Sequence, residues 1–461
     1  MSPLWARGAG ELARSIRAGE VSSREVVRAH LARIEEVDPR VNAVTVVPEE
    51  RALAEADAAD RAVREGTAGP LCGVPMTVKE NIDVAGSATT WGVPAMRDRV
   101  AAHDAPHIAE LRAAGAIVIG RTNMPEFGMR WHTANDLRGA TVNPWSSGHT
   151  PGGSSGGEAV AVATGMSPLG MGGDGAGSLR WPAQCCGVAT LKPSLGRVSQ
   201  GTGPLVPFAM QLMAVNGPLA RRVVDLDLAY RNMCARSGGD PWHAPVPLDG
   251  PPLPEPLGVA LATVPGMDPS VAGALDDASR ILTDAGYAVE PREVPGLDRA
   301  LELFVQIMSA YGRLHKEQPP LESFASADFL RFWTAYHPIW ERAGGEAAFD
   351  PMMERGALAR RWHEWTARTP LVLAPVRTAP AFPVGADLDA DWQEGFLASM
   401  RQVVAVNLLG LPSVVVPVGE ADGLPRAVQV IGPRFREDLC LRAAAAIEAG
   451  SPLRTPIDPR A

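Results

Sequence analysis

Lysine is nearly missing from this chain of 461 residues: of its 43 Lys+Arg residues, only Lys79, Lys192 and Lys316 are lysine. Abundant arginine, alanine, glycine and proline fit a GC-rich coding bias, so the scarcity gains meaning only where a lysine persists although arginine would carry the same charge. Cysteine is scarce too. Cys72, Cys185, Cys186, Cys234 and Cys440 are an odd number at no zinc-like spacing, and adjacent cysteines do not readily pair. A disulfide scaffold and a structural metal are therefore disfavoured, and reduced, cytoplasmic thiols are expected. No apolar run approaches about 18 residues, and the start Met1–Arg7 lacks the basic-then-apolar order of a signal peptide. Membrane insertion and export are not expected. Basic residues are outnumbered by 52 Asp+Glu, giving a net charge of −9, which argues against a nucleic-acid surface. What remains is an ordinary globular composition, 46% hydrophobic and 21% charged.

The order of elements points to an α/β chain. Ser22 and Glu25 have capping-box spacing, and Val27, Leu31 and Ile34 follow on one helical face. Helices are expected over 9–40, 49–65 and about 104–114, with buried strands at Val74–Val78 and Ala116–Gly120. Residues 239–256 read as an exposed connection, 268–290 as helix then strand, and 299–366 as a mostly helical insertion. Strand-like runs return at 371–374, 413–416 and 427–430.

Residues 139–200 are the unusual stretch. The run Pro151–Gly152–Gly153–Ser154–Ser155–Gly156–Gly157–Glu158 leads on to Gly172–Gly173–Asp174–Gly175–Ala176–Gly177–Ser178. Glycine at this density serves either a linker or a backbone that must approach a ligand. Apolar segments interrupt it, so the second reading is preferred. Glycines ahead of Ser178 would let successive main-chain N–H groups converge on an oxyanion. A serine nucleophile needs a base, yet no histidine sits in a triad motif and Gly-x-Ser-x-Gly in a strand–turn–helix context is absent. A lysine made neutral by burial is the remaining candidate.

These motifs, with Gly73–Asn81, Gly120–Phe127, Thr141–Trp145, Cys186–Pro193, Gly217–Arg221, Asn407–Pro412, Gly423–Pro425 and Gln429, resemble the amidase signature family along nearly the whole chain. The resemblance implies a single domain over 1–461: N-terminal helices in 1–65, the signature core in 66–230 and a variable insertion in 299–366. It implies a mixed central β-sheet between helical layers. It also implies a Ser–cisSer–Lys triad without cofactor or metal: Ser178 as nucleophile, Ser154 as the bridging serine behind a cis peptide, and Lys79 as base. Ser155 takes a supporting place, and the N–H groups of Gly175, Ala176, Gly177 and Ser178 form the oxyanion hole. Met129 and Trp131 match acyl-channel positions, and with Arg130 and Trp181 suggest an aromatic pocket holding a cation.

The expected activity is hydrolysis of a small acyl or aryl amide through an acyl-enzyme. The resemblance leaves three others open: an amide-forming acyltransferase, the glutaminase-type A subunit of a tRNA-dependent amidotransferase, and a catalytically degenerate binding protein. Gly173, where the family commonly has threonine, and Ala176, where it has glycine, suggest the last. A homodimer is left open. Arg180, Lys192, Glu126 and Asp174 are expected to hold structure, Cys185 and Cys186 to fill core, and His103 and His107 not to bind metal, since Pro106 interrupts their i, i+4 pairing. The aromatics of 299–366 (Phe304, Tyr311, Phe332, Trp333, Tyr336, Trp340, Trp362 and Trp365) read first as packing and second as a substrate wall.

Overall fold

The computed structural model describes residues 2–200, 208–234, 239–314, 323–343, 349–451 and 455–460. Lys316 lies outside them, and so does the side chain of Tyr311.

The helix Ser23–Val41 starts as its sequence dictates. Ser22 Oγ accepts the Glu25 N–H at 3.1 Å and Glu25 returns a bond to the Ser22 N–H at 2.8 Å. Further helices span Ala9–Arg17, Glu49–Glu65 and Pro106–Ala113. Strands in chain order are Val44–Val46 (β1), Pro75–Lys79 (β2), Ile117–Thr122 (β3), Ala134–Asn135 (β4), Gly139–Ala140 (β5), Leu169–Asp174 (β6), Ala189–Lys192 (β7), Val215–Ala220 (β8), Gly258–Ala262 (β9), Ala288–Arg292 (β10), Leu371–Pro375 (β11), Ser413–Ala421 (β12) and Leu424–Ile431 (β13).

Eleven of these form one mixed sheet in the order β1-β3-β2-β6-β8-β7-β12-β13-β11-β9-β10, while β4 and β5 pair separately. β3, β2 and β6 run parallel, and every residue of β2 and β3 is buried, as expected of strands covered on both faces. Alternation then sorts the side chains of β2. Met76 and Val78 enter one core, whereas Thr77 and Lys79 face the helix Gly156–Ala163 across the sheet's other side. The expected sheet between helical layers is what forms.

The segment 299–366, expected to be mostly helical, is covered by helices Leu297–Leu314, Ala327–Arg342 and Phe349–Thr366. Phe304, Phe332, Tyr336, Trp340 and Trp362 are buried and join the core on the Lys79 side of the sheet, with Trp333 and Trp365 half-buried against it. Packing is thus the main use of these rings. No helix among the described residues is long and apolar enough to cross a membrane.

Candidate active site

Lys79 closes β2, and its buried Nζ lies 2.7 Å from Ser154 Oγ and 3.0 Å from Ser155 Oγ. Both serines sit at the entry to the helix Gly156–Ala163, Ser155 as its N-cap residue, and the Gly153–Ser154 peptide is cis. Ser155 ties this entry to the Ser178 loop. Its N–H donates to the Ser178 carbonyl at 3.1 Å and its hydroxyl to the Gly173 carbonyl at 3.3 Å. The sequence therefore brings Lys79, Ser154, Ser155 and the Ser178 main chain into one place.

Burial lowers the Lys79 amine to about 7, against the pull of the Asp174 and Glu158 carboxylates, which favour its charged form. A lysine poised there can hold or release a proton near neutral pH. Lys192 is also drawn down to about 7 by burial and by Arg180, but its Nζ donates to the carbonyls of Pro193 and Leu411, both at 2.8 Å. Its role is structural, as expected.

The loop carrying Ser178 is held by Asp174. One carboxylate oxygen accepts the Gly177 N–H at 2.7 Å and the other accepts the Leu179 N–H at 3.2 Å. Arg180 forks onto the same carboxylate at 3.0 and 3.1 Å. Burial alone would raise the Asp174 carboxyl, but Arg180, Lys192 and Asn407 outweigh it and hold the group ionised. Arg180 continues to Asn407 and, at 3.3 Å, to Gln429. The Asn407 amide donates to the Asp174 carbonyl at 3.0 Å. The Gly177 N–H is thereby committed to Asp174 rather than open to substrate, which narrows the expected donor set to Gly175, Ala176 and Ser178. Gly177 adopts φ +112°, and a Cβ there would lie 2.4 Å from Val403, so only glycine fits.

The expected substrate residues divide. Met129 is half-buried on the loop after β3. Its neighbour Gly128 packs over Ser154, where an added Cβ would lie 3.3 Å from the Oγ. Arg130 supplies no open cation: it is buried and bonded to the buried Asp387 at 3.0 and 3.2 Å, with Asp328 at 3.8 Å. Burying an unpaired charge is costly, so the chain pairs it. Trp131 is buried against Phe396 and Tyr336. Trp181 is fully buried, its ring stacked on Phe382 and its N–H bonded to the Trp131 carbonyl at 3.0 Å. Both tryptophans are packed into this region by neighbouring rings.

Two acids carry more than their motifs announced. Glu126 accepts bonds from the N–H and hydroxyl of Ser326, the N-cap of the helix Ala327–Arg342, and so fastens the insertion to the Met129 loop. Phe127 beside it meets Phe324 and Phe329 edge-on, at 5.8 and 5.0 Å. Glu158 is fully buried, and its two oxygens accept the hydroxyls of Thr77 and Thr122, each at 2.6 Å. The signal for Glu158 was present as a lone carboxylate in the otherwise apolar helix GGEAVAVA. Cys185 and Cys186 are core residues, and His107 is buried against the Ser199 carbonyl. Among the described residues, no group of three or more His, Cys, Asp or Glu is arranged to hold a metal.

The layered fold and a buried lysine amine facing two serines define the class, a serine–lysine hydrolase. The Amidase family model matches residues 25–441, and the chain belongs to that family: it is an amidase-signature hydrolase. An indoleacetamide hydrolase of Bradyrhizobium diazoefficiens is 42% identical over 455 residues, spanning 97% of this chain and 87% of that protein. Among solved structures, 6-aminohexanoate cyclic dimer hydrolase superposes with a TM-score of 0.83 at 30% identity, covering 98% of both chains. A bacterial aryl acylamidase of the amidase signature family superposes at 0.81 with 26% identity, again over 98% of each.

Proposed function

We propose that this amidase cleaves small primary amides of arylacetic type, indole-3-acetamide among them, in the cytoplasm. The observation that carries the mechanism is the buried Lys79 amine within hydrogen-bonding reach of Ser154. Neutral Lys79 accepts the Ser154 proton while Ser154 accepts the proton of Ser178. Ser178 Oγ then bonds to the amide carbon, and main-chain N–H groups of Gly175, Ala176 and Ser178 receive the oxyanion. As the tetrahedral intermediate collapses, the C–N bond breaks and Ser154 returns a proton to the leaving nitrogen, releasing ammonia and leaving an acyl ester on Ser178. Water, activated by the same relay, cleaves that ester to the carboxylic acid.

The relative named indoleacetamide hydrolase and the half-buried apolar surface of Phe127 and Met129 support an aryl acyl group. Four of the five free cysteines are buried, in keeping with a reducing compartment. The test is a panel of indole-3-acetamide, phenylacetamide, benzamide and acetamide, with acid and ammonia quantified. Hydrolysis should favour the arylacetamides and vanish in Ser178→Ala. Turnover surviving in Ser178→Ala, or none on any arylacetamide, overturns the reading.

A further inference from the structure

We propose that Glu158 is a positioning residue for the amide-cleaving relay, joining the helix that carries the serines to the strand that carries the base and supporting the basicity of Lys79. The inference rests on Lys79 being that base. Ser154 and Ser155 enter the helix Gly156–Ala163, and Glu158 stands in its first turn. Its carboxylate accepts one bond from Thr77, two residues before Lys79 on the same face of β2, and one from Thr122, the register partner of Lys79 on β3. A single side chain thus holds the serine-bearing helix, the lysine strand and its neighbour together.

The sheet is built to admit it. Gly170 pairs with Thr77 across β2 and β6, and a Cβ at Gly170 would lie 2.3 Å from Glu158 Oε2, in the space the carboxylate fills. The charged groups acting on this cluster are few: Asp174 from β6 and Glu158 act on Lys79, while Lys79 and Arg121 from β3 act on Glu158. Burial pushes the Glu158 carboxyl up to about 7, opposed by the Thr122 and Thr77 hydroxyls and by those two cations. Above that value the carboxylate is an anion that favours the protonated lysine and keeps its amine a usable base.

The experiment compares pH profiles of kcat and kcat/KM for Glu158→Gln, Glu158→Asp and Lys79→Ala on an arylacetamide. Glu158→Gln keeps the shape and removes the charge. Its acid limb should move to lower pH by about half a unit or more, while kcat falls about tenfold or more with KM little changed. Glu158→Asp keeps the charge but shortens the reach, so kcat should fall with the limb unmoved. A lower kcat with an unmoved limb in Glu158→Gln means a merely structural role and overturns the proposal, as does wild-type behaviour. Should Glu158→Gln fail to fold, Glu158→Asp decides alone, and wild-type kcat there overturns it. Lys79→Ala separates the two readings: retained turnover removes the base assignment itself, whereas an inactive Lys79→Ala beside a normal Glu158→Gln removes only this inference.

Discussion

Lys79 Nζ and Ser154 Oγ lie 2.7 Å apart, although 75 positions separate them in the chain. That distance requires β2 and the helix Gly156–Ala163 to be packed before any proton can pass. The base role proposed for Lys79 accounts for a lysine persisting where arginine is otherwise the rule. Guanidinium stays protonated up to pH ~12 and cannot serve as a base near neutrality.

Lys79→Arg should therefore be as inactive as Lys79→Ala, each losing about 10²- to 10⁴-fold in kcat on an aryl amide. Steady-state kinetics with Ser178 labelling by a fluorophosphonate checks this, and an active Lys79→Arg would remove the base from the scheme.

The pH profile follows from the amine. Lys79 is neutral only above its own pKa, so kcat/KM should rise as pH increases through about 7 and plateau above it. Because burial pushes the Glu158 carboxyl up to about 7 as well, the limb belongs to Lys79 if it remains in Glu158→Gln, and its loss there would point to the acid as the controlling group.

Stability should respond to acid through different residues. His30, His107 and His132 are buried and each lowered by desolvation to about 4 in the folded chain. The unfolded chain binds their protons near pH 6.5, so between these values unfolding takes up protons and stability falls as pH falls. Denaturant unfolding measured from pH 7 to 4 should show that slope, and His107→Gln should flatten it.

Asp174 and Arg180 form a fully buried ion pair at 3.0 Å. Removing one partner strands the other, so Arg180→Met should cost about 3–5 kcal/mol and displace the Ser178 loop. Reduced fluorophosphonate labelling together with a lowered unfolding midpoint tests both consequences.

Ser326→Ala removes the hydroxyl that caps its helix and bonds Glu126. A loss of about 1 kcal/mol and a raised KM for arylacetamides are expected, with acetamide little affected. An equal rise for every substrate would dissociate the insertion from acyl selection.

Much of this was legible in the sequence, because the informative features are local. Glycine and serine crowding marked the loops, a capping box marked the first long helix, and Lys79 stood out against arginine. Partnerships between distant residues were not legible. Arg130 looked like a substrate cation until its partner 257 positions away, Asp387, came beside it. The place of Trp181 is fixed by Trp131 and Phe382, which reach it through tertiary packing. The Gly177 N–H looked available because loop geometry, rather than residue type, decides where a main-chain donor points.

The reach of Arg180 to Asn407 and Gln429 sets an order in time. Lys79, Ser154 and Ser178 all leave the ribosome before Asn407 and Gln429, the partners that brace the Ser178 loop more than 200 residues further on. A nascent chain that already carries all three is still without this bracing until residues 407 and 429 have been made. Nucleophile reactivity is therefore a test of whether the last strands have joined the sheet.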